Sequence, residues 1–142
     1  MPDHTASTLV IFGATGDLSL RMLLPSLFGL ERDGLLGDGL RILGSAREAL
    51  DDDAFRERIA EVLRKAGDSD EPDGAAIARF CDRLHYQPAS ATDPDELASV
   101  AARVSKLRGD GDVLYHLSTA PRFYGPICSA LATAGRTRPG TR

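Results

Sequence analysis

Two glycines three residues apart, between an apolar run and a helical pattern, are the first residues of this 142-residue sequence with evident chemistry. In Gly13-Ala14-Thr15-Gly16-Asp17-Leu18-Ser19 the first glycine permits a tight turn, and the second lets a pyrophosphate approach the backbone. Free N–H groups of Thr15, Asp17 and Leu18 at the start of the following helix then face the negative charge. The spacing departs from the simplest dinucleotide fingerprint, because the third small position is Ser19 and Asp17 follows the second glycine directly. A purely structural turn is the alternative. The strand-turn-helix context favours a phosphate seat.

A second cluster follows in Gly44-Ser45-Ala46-Arg47. Domains specific for NAD usually place an acid at the end of the second strand, to hold the ribose 2′-hydroxyl. Here Arg47 can pair with a 2′-phosphate, and Ser45 can donate a further hydrogen bond. The competing reading is a solvated arginine ahead of an acidic helix. Glu48 lies beside Arg47 and would repel a phosphate if it pointed inward, so NAD stays open beside NADP. Ser90 and Ala91 occupy the loop after the third strand, where such folds meet adenine. His116 reads as a core residue rather than a base, and Tyr115 and Tyr124 as packing residues. Asp51-Asp52-Asp53 reads as a helix start, not a metal site.

The elements that position these residues are legible from periodicity. Thr8 to Phe12 is an apolar run suited to a strand buried on both faces. Asp17 is placed to cap a helix running to about Arg32, and Pro25 within it predicts a kink or an early irregular turn. Gly34 and Gly37 end that segment, and Leu40 to Leu43 reads as a second strand. A helix carrying Phe55, Ile59, Val62 and Leu63 follows, then a polar connector over Gly67 to Asp73. Ala75 to Asp82 is helical, Leu84 to Gln87 is a third strand, and Asp95 to Leu107 is a helix. A polar turn at Gly109 to Asp112 leads to a fourth strand, Val113 to Leu117. Tyr124 to Ala134 is the last helix. This alternation predicts an α/β fold: a Rossmann-like, doubly wound parallel sheet of about four strands in the order 3-2-1-4.

Composition narrows the class. Hydrophobic residues make up 42% of the chain and charged residues 27%, enough for one domain with a real core. A net charge of -4 argues against nucleic acid as a partner. The cations are fifteen Arg with Lys65 and Lys106, so an anion site here relies on Arg or backbone N–H groups. No apolar run approaches the roughly 20 residues needed to span a bilayer, and the start carries no secretory pattern. Cys81 and Cys128 read as buried free thiols of a cytoplasmic domain. Residues 136–142 hold three Arg, one Pro and no large apolar side chain, and cannot supply a fifth strand. The fourth strand is then expected at an open edge, with Ile127 and Leu131 partly exposed.

Taken together, three segments resemble the glucose-6-phosphate dehydrogenases. Ile11 to Leu18 with Arg21 and Leu24-Pro25-Ser26-Leu27 is similar to that family's first motif, and Gly44 to Arg47 to its second-strand motif. Tyr115 to Pro121, then Phe123 to Cys128, is similar to its fourth strand and next helix, bringing Ala120 and Pro121 to the cofactor. The resemblance implies an NADP-binding domain over residues 1–135, followed by a basic tail. It implies an intact, homo-oligomeric enzyme that oxidises glucose 6-phosphate to the lactone in the oxidative pentose phosphate pathway. Leu20 and Met22 stand where the family usually has Lys in one or both places. The family's Glu-Lys-Pro segment, its catalytic His-Asp pair and its phosphate-binding Lys find no match here, so the chain by itself is expected to be catalytically incomplete. The alternative is a stand-alone nucleotide-binding or regulatory module.

Overall fold

The computed structural model describes residues 6–37, 39–66, 74–108 and 111–135. Four parallel strands form one sheet in the order β3-β2-β1-β4, with β1 over Ala6–Phe12, β2 over Arg41–Ser45, β3 over Leu84–Tyr86 and β4 over Asp112–Leu117. The helices are α1 (Leu24–Arg32), α2 (Asp52–Ala66), α3 (Gly74–Asp82), α4 (Pro94–Arg108) and α5 (Tyr124–Gly135). The expected class and strand order are therefore observed. The connector at Gly67 to Asp73, Gly109-Asp110 of the polar turn and the tail lie outside the described residues. No helix among the described residues is long and apolar enough to cross a membrane.

Alternation along β1 divides the core between two layers. Ile11 faces α1, α2 and α3, joining Leu24, Phe28, Phe55, Ile59 and Phe80. Val10 and Phe12 face the other way, onto Leu97, Val100 and Val104 of α4 and Ile127 of α5. Each fully buried side chain of this size contributes about 1.5–3 kcal/mol. Gly44 is required for close packing of α2 on β2, since a Cβ there would lie 2.7 Å from Phe55 and 2.8 Å from Ala14.

Local chemistry sets the helix ends. Pro25 has no N–H to continue an α-helical ladder, and a π-helical turn at Ser19–Leu23 precedes α1, closed by the Leu24 N–H on the Ser19 carbonyl. This is the irregular turn expected at Pro25. Asp17 is already helical, and its carboxylate lies 3.2 Å from Arg21 one turn on rather than closing a cap. Gly34 ends α1 at φ 72°, with its N–H on Glu31 and that of Leu35 on Leu30. Asp51 caps α2 by accepting the Ala54 N–H at 2.7 Å.

Three expectations are corrected. Ile127 is fully buried, because α5 packs on α4 as well as on the sheet. Cys128 is exposed on the outer side of α5, whereas Cys81 is buried. His116 is no core residue: it is exposed beside Leu114 on the face of β4 that no described helix covers. β4 is an edge of the sheet among the described residues, as expected.

The α1–β2 connection is held by a pair that periodicity does not reveal. Arg83 donates to Glu31 at 3.1 Å with the two side chains only 12% and 8% exposed, and also to the carbonyls of Gly37 and Leu40. Arg83→Ala strands a nearly buried carboxylate and two carbonyls. Its expected cost is about 3 kcal/mol in urea unfolding; a loss below about 1 kcal/mol would show the pair behaving as a surface contact.

Candidate functional site

The turn after β1 is built by its neighbours on both sides. Gly13 has φ 83°, and a Cβ there would sit 2.5 Å from the Ser118 carbonyl oxygen. The N–H groups of Gly13 and Ala14 donate to the Ser45 carbonyl at 2.8 and 3.1 Å, and the Ser118 N–H donates to Phe12 at 2.8 Å. The ends of β1, β2 and β4 are thereby joined at one point. The Gly16 N–H closes back on the Gly13 carbonyl at 3.0 Å, as does the buried Ser19 hydroxyl at 2.9 Å. No backbone carbonyl among the described residues takes the N–H of Thr15, Asp17 or Leu18. These three donors stand at a helix start and point the positive end of its dipole outward.

At the end of β2, Ser45 is buried and its hydroxyl has no hydrogen-bond partner among the described residues. Arg47 is exposed on the following loop and forms no ion pair with any described residue. The loop itself is fixed. The Tyr86 hydroxyl donates to the Glu48 carbonyl at 2.8 Å, and burial pushes that phenol up to about 12. The Glu48 carboxylate pairs with Arg58 at 2.7 Å, which holds it below the usual glutamate range.

Just beyond, Asp52 ties α2 to β3 and α4, accepting the Tyr86 N–H at 2.8 Å and Arg103 at 2.6 Å. Burial alone would raise the Asp52 carboxyl, but Tyr86, Arg103 and His85 together keep it low. The acidic run at Asp51 to Asp53 thus serves a cap and a clamp, and among the described residues no acid, His or Cys group is arranged to hold a metal.

These walls enclose a cleft of about 470 Å³ at the carboxyl ends of the strands. Of the residues expected at the site, Gly13, Thr15, Gly16, Ser45, Arg47, Ser90, Ala91 and Ala120 line it. Ala14 is buried beneath the turn against Gly44, while Leu18 is 56% exposed and, like Asp17 and Pro121, lies off the lining. Ser90 is ordered by its own loop, its hydroxyl 3.0 Å from that of Thr92. Ser118 and Arg122 are among the lining residues that sequence reading did not assign to the site. The Ser118 hydroxyl is buried and has no partner among the described residues, a position that the strand end after Leu117 does signal. Arg122 lines the far wall, 4.8 Å above the Phe123 ring, and nothing in its sequence context marks it. Tyr115 packs on Phe12 as expected, but Tyr124 is 40% exposed and does not.

A cleft at the carboxyl edge of a parallel sheet, with a glycine turn and a helix start on one lip, is suited to binding an anionic nucleotide. Comparison with known proteins agrees. The family model of the glucose-6-phosphate dehydrogenase NAD-binding domain matches residues 10–142. The glucose-6-phosphate 1-dehydrogenase of Zymomonas mobilis is 39% identical over 139 residues, covering 98% of this chain and 28% of that protein. The enzyme of the same name from Aggregatibacter actinomycetemcomitans is 37% identical over 131 residues, covering 89% and 26%. The crystal structure of glucose-6-phosphate 1-dehydrogenase from Mycobacterium avium superimposes with a TM-score of 0.83 at 31% identity, covering 99% of this chain and 29% of its own. The chain therefore spans less than a third of the length of these relatives.

The crossing at Gly13 makes a contrast between the two glycines testable. Gly13→Ala combines left-handed strain of about 1–2 kcal/mol with a methyl group driven into the Ser118 carbonyl. At Gly16 the added methyl meets only the Gly13 carbonyl, at 3.2 Å. Thermal unfolding should show Gly13→Ala clearly the more destabilised of the two. Equal midpoints would mean that the crossing is not as tight as described.

Proposed function

The chain belongs to the glucose-6-phosphate dehydrogenase family, and from that premise we propose that its cleft binds a nicotinamide dinucleotide with preference for NADP. The observation that carries this reading is the placement in one cleft of Arg47, which forms no ion pair with any described residue, and of the buried Ser45 hydroxyl, which has no partner among the described residues. A neutral ribose hydroxyl would leave that cation unused, whereas a 2′-phosphate satisfies it with charge-assisted bonds. The residues present fit the group. Thr15 on the lining, with Asp17 and Leu18 beyond it at the helix start, would offer N–H donors to the pyrophosphate, and the small side chains of Ala46, Ala89 and Ala91 leave room for a flat base near Ser90. The unpartnered Ser118 hydroxyl and Arg122 supply polar groups on the opposite wall.

When bound, the nicotinamide supplies the hydride acceptor for oxidation at C1 of glucose 6-phosphate. This chain's own residues bind and orient that cofactor. His116 does not line the cleft, and Leu20 and Met22 offer no cation to a sugar phosphate. The groups that bind the sugar and remove its proton are accordingly expected in the part of the family's sequence that this chain does not span.

Titration calorimetry with NADP and NAD on wild type and Arg47→Ala tests the assignment. Loss of a charge-assisted phosphate bond should weaken NADP by about 1.5–3 kcal/mol and leave NAD nearly unchanged. Equal losses for both nucleotides would remove Arg47 from the 2′-phosphate site. The unmodified chain should also give no sugar-dependent NADPH absorbance, and turnover above a blank would show that the chemistry lies within these residues.

A further inference from the structure

Arg47 and Glu48 are adjacent, opposite in charge and both at the lip of the cleft. A glutamate in that place works against a 2′-phosphate, and is itself a good acceptor for a 2′-hydroxyl. What separates the two charges is Arg58, ten residues on in α2, whose Nη1 lies 2.7 Å from Glu48 Oε2. Backbone movement cannot take Glu48 elsewhere, because its carbonyl is held by the Tyr86 hydroxyl at 2.8 Å. Glu48 lines the same cleft as Thr15 of the glycine turn. With Arg58 present, the lip carries two positive charges against one negative. Without it, Arg47 and Glu48 cancel.

We propose that Arg58 is a specificity-determining positioning residue, which holds and neutralises Glu48 so that the lip accepts a phosphorylated ribose. The inference rests on the NADP reading above and adds to it the group that sets the preference. The pair is half-exposed, with side chains 37% and 48% accessible, and an ion pair of that kind adds little to folding stability. Its effect is on the field at the lip. Removing Arg58 frees Glu48 to repel the 2′-phosphate and to accept the 2′-hydroxyl of NAD.

The test is calorimetric titration of NADP and NAD into the 142-residue chain, as wild type, Arg58→Ala, Glu48→Gln and the double variant. Thermal unfolding of each variant serves as the folding control. Arg58→Ala should weaken NADP roughly tenfold and leave NAD unchanged or tighter, a change the size of one uncompensated charge near the phosphate. Adding Glu48→Gln should restore NADP to within roughly threefold of wild type, since the repelling charge is gone. A merely structural role for Arg58 would weaken both nucleotides together and would not be rescued by Glu48→Gln. That result overturns the proposal, as does NADP binding unchanged in Arg58→Ala. If the wild type itself prefers NAD, the cofactor assignment falls first and this inference with it.

Discussion

One backbone crossing governs the nucleotide end of this sheet. At Gly13 the chain leaves β1 with φ 83° and passes so close to Ser118 that no side chain fits between them. The Ser45 carbonyl binds two successive N–H groups of the turn, and the Phe12 carbonyl takes the Ser118 N–H. Three strand ends are therefore fixed relative to one another before any ligand arrives. The same closure sets the unpartnered hydroxyls of Ser45 and Ser118 in the two walls of the cleft. It also decides which donors remain. Gly13, Ala14 and Gly16 spend their N–H groups on the turn, leaving those of Thr15, Asp17 and Leu18 for an anion.

The second wall is ordered by charge rather than by sterics. Asp51 caps α2, Asp52 links α2 to β3 and α4, and Arg58 holds Glu48, all within one short stretch of sequence. Each of these acids has a partner, the loosest being Asp53, which faces Arg56 at 3.6 Å on an exposed surface. Arg47 is the cation that this scheme leaves over. On the proposed reading, a 2′-phosphate would meet that cation with charge-assisted bonds beside the buried Ser45 hydroxyl, which a ribose hydroxyl would not.

Much of the architecture was legible in the sequence because local rules decide it. The glycine after an apolar run, the proline inside the first helical pattern, the acidic helix start at Asp51 to Asp53 and the alternation of strands with helices all act within a few residues, whereas the cap expected at Asp17 did not form. The strand order and the irregular turn before α1 followed from them. What escaped was set by contacts distant in sequence. Nothing local pairs Glu31 with Arg83, or brings Tyr86 to the Glu48 carbonyl. Ile127 was expected to be partly exposed for want of a fifth strand, but α4 covers it instead. His116 was expected in the core because a strand interior usually has helices on both faces, and the face it occupies has none at β4. In the cleft, residue type and position announced the glycine turn, Ser45 and Arg47. They did not show that three of the turn's N–H groups are already committed, since that depends on where the Ser45 and Gly13 carbonyls point.

The division of labour among the turn's amides is tested directly by amide NMR of the chain with and without NADP. The amides of Gly13, Ala14 and Gly16 should exchange slowly in both states, and those of Thr15, Asp17 and Leu18 should shift and gain protection only when the nucleotide is present. Gly13 and Ala14 amides that exchange freely in the unbound chain and become protected on adding NADP would contradict it, because the turn would then be formed by the ligand and not by the meeting of three strands.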